Sequence, residues 1–372
     1  MVFNGNNVRL VRVLRNMSQL ELANAVSASE ATIWQVERGR EPGDTLRDAL
    51  AIVLKVDSQF FYDRIAEEFT ESDCHFRKGS TSAERVRKRV LAQGTLFGHL
   101  VDYLQVKLKL PQYNLPELHA LTPAEIEKAA SMCRTHWKLG LDRPITNMGR
   151  VLENAGVMLI KLRHDDAVKL DAFSRRGRNG AMSYVVLNPA KGSSSRTRYD
   201  MAHELGHLVL DFKDIGLSYD DREKRADRFA ASFLLPEAGV RREFRFGRGT
   251  VNWEHVFDLK RRWKVSAQAI LYRALDLRLI DAVEFRRAYK MMSARRWVKD
   301  EPHEPPMESP ELFRKAMQTL WQRKKIGADR IAADLHWTME TFEDVTGLRA
   351  SAPVANEPDN VISLADRRRM RA

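Results

Sequence analysis

The sequence predicts a multidomain chain: an all-α N-terminal domain, an α+β middle domain and a mostly helical C-terminal region. Three observations support this division. Apolar residues recur at helical spacing from Val8 to Val56, with short breaks between the runs. Apolar, β-branched runs beginning near Val157 and Tyr184 precede a helical stretch that carries His203 and His207. Four prolines, Pro302, Pro305, Pro306 and Pro310, then set the middle of the chain apart from its end.

In the first segment Val8, Val11 and Leu14 define one helix, interrupted around Arg15, Asn16 and Met17. Ser18 and Glu21 form a capping-box pattern that starts a second helix through Leu22, Ala23 and Val26. A break at Ser27 to Ser29 precedes a third helix from Glu30, which Gly39 closes, and a further helix covers Leu46 to Val56. Two short helices joined by a tight turn within a five-helix unit resemble the Cro/repressor-type (XRE) helix-turn-helix domain, over roughly residues 5 to 65. The resemblance makes Ala23 the small residue at the helix crossing and turns Ile33 and Val36 inwards. Ser29, Glu30, Ala31, Thr32 and Gln35 would then face DNA, with Gln35 suited to adenine and Gln19 and Arg38 to phosphate. Ser27 departs from the pattern, since such turns usually carry glycine. A protein-docking helical bundle with the same core is the competing reading.

Residues 67–142 read as a helical connector. The run Arg85, Arg87, Lys88 and Arg89 suits a solvated helix face better than a phosphate stripe. An amphipathic helix continues from Leu91 to Leu110, prolines 111, 116 and 123 punctuate the chain, and Thr122 caps a helix that runs to Trp137. The middle domain is expected over 143–250. A helix over Asn147 to Asn154 leads into three strands, Val157 to Leu162, Leu170 to Arg175 and Ala181 to Asn188, expected as a small antiparallel sheet. Tyr184 to Asn188 is the expected edge for an added substrate strand, although a fully covered strand fits equally well.

The chemistry centres on the stretch from Tyr199 to Pro236. His203 and His207 lie four residues apart in a helix-compatible context, so both imidazoles project from one face and can share a divalent ion. Glu204 follows the first histidine and points beside such an ion, where a carboxylate can take the proton of an attacking water. The pair alone fits an ordinary helix surface equally well. A second amphipathic helix favours the metal: Ala226, Phe229, Ala230, Phe233 and Leu234 form an apolar face that can deliver Glu223 as third ligand, with Asp227 in reserve.

The block His-Glu-Leu-Gly-His followed by Glu-x-x-Ala-Asp-x-Phe-Ala-x-x-x-Leu-Leu-Pro resembles the ImmA/IrrE family of bacterial and phage metallopeptidases. The resemblance implies zinc on His203, His207 and Glu223, Glu204 as general base, and a repressor-like regulatory protein as substrate. Many members carry Asn where this chain has Asp227. His255 and Tyr199 are the expected candidates for an oxyanion partner, though no spacing supports either.

Helices are expected again over 251–298, with Leu259 to Lys264 resembling the extension of larger family members, then a proline-rich linker over 299–310. A helical region follows over 311–372, its segment from Ile326 to Gly347 faintly similar to a second helix-turn-helix, ending in the basic run Arg367 to Arg371.

Composition bounds the partners. The chain of 372 residues has 44% hydrophobic and 30% charged residues, as expected of a globular protein. A formal charge of +12 and a pI near 9.7 favour an acidic partner, most simply nucleic acid. Cys74 and Cys133 suit a reducing cytoplasm rather than a disulfide framework. No stretch approaches the roughly 18 apolar residues of a membrane span, and no signal-peptide core is evident. The expectation is therefore a cytoplasmic, multidomain protein: an all-α helix-turn-helix domain (1–66) that dimerises, by analogy, on a double-stranded DNA operator, then an α+β zincin-like zinc metallopeptidase domain. A transcriptional regulator that senses a ligand and an antitoxin paired with a toxin protein are the alternatives.

Overall fold

In the computed structural model the described residues are 2–71, 84–161, 172–177, 182–188, 192–211, 216–245 and 251–348. Cys74, the end of the expected Val157 strand at Leu162, the start of the Leu170 strand and the basic tail lie outside them.

The N-terminal unit comprises α1 (Gly5–Leu14), α2 (Gln19–Ala25), α3 (Glu30–Glu37) and α4 (Asp44–Leu54), followed by a 3₁₀ turn over Ser58–Tyr62. Local chemistry sets its boundaries. Ser18 and Glu21 close the capping box of α2, and Ser29 caps α3. Ser27 adopts φ +55° in the turn between them, the left-handed conformation for which glycine is preferred. Arg12 joins these helices by pairing with the buried Glu37 at 2.5 Å.

α5 (Glu84–Lys107) is one continuous helix, buried from Val90 to Phe97 and again at Leu100, Val101 and Leu104. Its basic run is engaged with protein groups rather than simply solvated. Arg89 donates to the Leu14 carbonyl at 2.9 Å and Arg85 reaches Glu21 at 3.0 Å, so the stripe anchors the helix to the N-terminal unit.

α6 (Pro123–His136) and α7 (Met148–Asn154) lead into the sheet of β1 (Val157–Lys161), β2 (Phe173–Arg175) and β3 (Ser183–Leu187). The sheet is mixed and not antiparallel: β1 pairs with β3 in parallel, β2 pairs with β3 antiparallel, and the order is β1-β3-β2. β3, the expected edge, is central and buried throughout, with β1 and β2 on either side of it among the described strands. Parallel pairing requires both faces to be covered, and both are. Met158, Ile160, Tyr184 and Val186 enter one core with the N-terminal helices, whereas Val157, Leu159, Val185 and Leu187 enter a second core with the helices that follow. The sheet is the partition between the two cores.

Those following helices are α8 (Ser194–Leu210), α9 (Tyr219–Leu234), α10 (Glu237–Glu243), α11 (Trp253–Trp263), α12 (Ala267–Asp276) and α13 (Ala282–Ala294). Residues 299–310, read from their prolines as a linker, are tied down along their length. Glu301 accepts from the Ala267 amide at 2.7 Å and the Gln268 amide at 3.2 Å, capping α12. Glu304 accepts from the Ser195 amide at 3.0 Å and Glu308 from the Met148 amide at 2.7 Å, capping α8 and α7. Each carboxylate meets the positive end of a helix. The fully buried Lys260 also reaches Glu301 at 2.8 Å and Glu304 at 2.5 Å.

The chain then returns to its beginning. α14 (Leu312–Lys324), α15 (Ala328–Asp334) and α16 (Met339–Thr346) share the core of the N-terminal unit. Thr338 donates to the Lys55 carbonyl at 2.7 Å, Asp57 donates to the His336 carbonyl at 2.9 Å, and Arg15 pairs with Asp344. No helix among the described residues is long and apolar enough to cross a membrane.

Candidate metal centre

α8 and α9 pack face to face, and one residue sets how closely. A Cβ built on Gly206 would lie 3.1 Å from Ala226 Cα and 3.2 Å from its carbonyl oxygen. The missing side chain lets α9 approach near enough to place Glu223 opposite the two histidines of α8.

The three side chains converge as the sequence predicts. His203 Nε2 and His207 Nε2 are 3.1 Å apart, Glu223 Oε1 is 3.2 Å from His207 Nε2, and Glu223 Oε2 is 3.5 Å from His203 Nε2. A tetrahedral ion with bonds of ~2.0–2.2 Å holds its ligand atoms roughly 3.3–3.6 Å apart. The triangle therefore fits a divalent ion, and among the described residues this is the cluster of histidine, cysteine and acidic groups able to hold one.

Both outer ring nitrogens are engaged. His203 Nδ1 meets Asp227 Oδ1 at 2.8 Å and His207 Nδ1 meets Asp211 Oδ2 at 2.7 Å, which turns each Nε2 into the triangle. Asp227, the reserve ligand, thus orients a histidine instead. Asp211, to which the sequence reading gave no role, does the same and also receives Arg225 Nη1 of α9 at 2.8 Å. Its position four residues after His207 was the available signal.

Electrostatics reflect this crowding. Burial opposes charge on His203, yet hydrogen bonds to Asp227 and Glu223 outweigh it and lift its pKa to about 10. His207 is raised in the same way by Asp211 and Glu223. Burial also works against ionised Glu223, but the two imidazoles hold its carboxyl well below the usual carboxylate range. The cluster attracts cations, whether protons or a metal.

Glu204 is 4% exposed, and its Oε2 has no hydrogen-bond partner. Burial raises its pKa against the opposing pull of His207 and His203. β2 packs on α8, and there the buried Ser174 hydroxyl sits near the Glu204 carboxyl and partly opposes that rise. A cleft of about 960 Å³ opens beside Tyr199 and Asp227, the residues flanking His203. Tyr199 donates to the Asp227 carbonyl at 2.9 Å, and burial raises its pKa, keeping the donor protonated. His255 is engaged elsewhere, with its Nε2 3.0 Å from the Glu243 carbonyl, and takes no part in the cluster.

The residues expected to face DNA lie far along the chain on the N-terminal unit. Ser29, Glu30, Ala31 and Arg38 are exposed, with Arg38 stacked over Trp34 at 4.7 Å. Thr32 is half-buried and its hydroxyl lies 2.8 Å from that of Ser29, while Gln35 accepts from Arg40. Gln19 donates to Glu37 at 2.6 Å, so its amide is turned towards the protein.

Comparison with known families finds that residues 152–275, about a third of the chain, match the model of the IrrE N-terminal-like domain, Peptidase M78. The match contains His203, Glu204, His207 and Glu223. No curated protein matches the chain. Residues 152–275 thus form a metallopeptidase-type domain, for which a divalent metal is the expected cofactor.

Proposed function

We propose that the protein is a DNA-binding, zinc-dependent endopeptidase that cleaves a repressor-like regulatory protein. The observation that carries this reading is the ligand triangle with the buried, unpaired Glu204 oxygen beside it. Two imidazoles and a carboxylate suit zinc and leave a coordination position free. When bound, the metal supplies a Lewis acid that polarises the scissile carbonyl and acidifies water.

The chain's own groups do the rest. Asp227 and Asp211 fix the imidazoles, and Glu204 takes the proton of the attacking water and returns it to the leaving amine. Burial raises its pKa, which makes its carboxylate a stronger base towards that proton. Exposed Ser29, Glu30, Ala31 and Arg38, with the net charge of +12, support duplex DNA as the ligand of the N-terminal unit.

The test is terminal-labelling proteomics on cells making the wild type or Glu204→Gln, with and without DNA damage. New termini in one regulatory protein, present only with the wild type, are expected. Identical maps under every condition would overturn the peptidase reading.

A further inference from the structure

β2 presents its residues to two different parts of the molecule. Phe173 enters the core shared with the N-terminal helices, whereas Ser174 pairs across the sheet with Val185, on the face that meets α8. That face carries Val157, Leu159, Val185 and Leu187 together with two serines, Ser174 and Ser183. Ser183 has a structural bond, its hydroxyl accepting from the Gly177 amide at 3.1 Å. Ser174 is fully buried, and its hydroxyl sits near the Glu204 carboxyl instead. A buried hydroxyl on an apolar face costs free energy unless a polar group meets it, and Glu204 is the group it meets.

The next residue locks the same strand to the opposite side. Arg175 is 4% exposed, its Nη2 donates to Glu67 Oε2 at 2.5 Å, and its guanidinium lies 4.4 Å over the Phe69 ring. Phe69 is itself seated, with its amide donating to Thr95 Oγ1 at 2.8 Å and its ring meeting that of Tyr184 edge-on at 5.1 Å. Glycine at position 94 of α5 makes room for this ring, since a Cβ there would lie 2.7 Å from Phe69 Cδ2. The neighbouring Glu68 reaches back to Arg9 of α1 at 3.0 Å. One short segment, between the N-terminal unit and α5, thus grips both α1 and β2.

We propose that Ser174 is a positioning residue that holds the Glu204 carboxylate in place, and that Glu67 and Phe69 fix Ser174 through Arg175. The proposal rests on the reading of Glu204 as general base. It makes the segment after the N-terminal unit a control point for that base: displacing the segment loosens Glu204 without touching a metal ligand.

Cobalt(II) loaded into the full chain in place of zinc tests this, because its visible absorption bands follow the surroundings of the ion. Ser174→Ala should move the bands to where Glu204→Gln puts them, with the cobalt content per chain unchanged. Glu67→Gln should move them in the same direction by a smaller amount. Ser183→Ala, which removes a buried hydroxyl from the same face, should leave them in place. On a protein that terminal labelling shows to be cleaved, Ser174→Ala should lower kcat by about 10- to 100-fold with KM unchanged. A wild type that cleaves nothing would remove the peptidase reading, while the cobalt bands would still decide whether Ser174 places Glu204. Wild-type bands in Ser174→Ala, or an equal shift in Ser183→Ala, would overturn the proposal. Wild-type bands in Glu67→Gln would overturn the link to the N-terminal segment.

Discussion

Asp211 Oδ2 lies 2.7 Å from His207 Nδ1, and the other oxygen of the same carboxylate holds Arg225 on the neighbouring helix. One buried side chain therefore both aims a candidate metal ligand and ties together the two helices that supply the candidate ligand set. Removing its charge should act on the metal more than on the fold. Asp211→Asn is expected to weaken zinc binding by about 10- to 100-fold, measured by competition with a chromogenic chelator. Unaltered affinity would show that His207 needs no such orientation.

Gly206 sets the spacing of those helices. A single methyl meets Ala226 and Phe229 at 3.1–3.3 Å, so Gly206→Ala requires a shift of a few tenths of an ångström. Gly206→Val adds atoms with nowhere to go and should cost about 1–3 kcal/mol in denaturant unfolding, with loss of zinc affinity as Glu223 moves away. Equal zinc affinity in both variants would contradict the claim that this contact places Glu223.

The strap over residues 299–310 should fail in acid. Burial alone would raise the Glu304 carboxyl, but Lys260 and Ser195 together hold it below its ordinary value of 4.5. A carboxylate whose folded pKa is lowered stabilises the fold fully above the unfolded value, and that contribution disappears as pH falls through the folded pKa. Stability of the wild type should therefore decline below about pH 4.5, and Glu304→Gln should flatten that limb. Thermal melts across this range decide it, and parallel curves for the two proteins would refute the role of Glu304.

The site was more legible than its surroundings, for a physical reason. His203, Glu204 and His207 are fixed by helical periodicity within one turn, and the apolar face from Ala226 to Leu234 announces the helix that brings Glu223. The capping box of Ser18 and Glu21 is likewise local, so α2 could be placed from the sequence. Strand order could not: Val157 and Ser183, which pair in parallel, are far apart in the sequence with β2 between them, and no pattern in β3 shows which neighbours it takes. The prolines at 302, 305, 306 and 310 fit a free linker as well as a docked strap. What docks the strap is the match of Glu301, Glu304 and Glu308 to helix ends distant in sequence. Asp227 and Asp211 were misread or passed over because hydrogen bonding to a ligand leaves a weaker spacing signal than ligation does.

The central claim is that His203, His207 and Glu223 hold one divalent metal ion beside Glu204. Metal content after dialysis against zinc, measured by mass spectrometry on the wild type, Glu204→Gln and Glu223→Ala, tests it directly. The account predicts one zinc per chain in the wild type and in Glu204→Gln, and little in Glu223→Ala. A wild type without zinc, or a Glu223→Ala variant that retains it fully, would contradict the account.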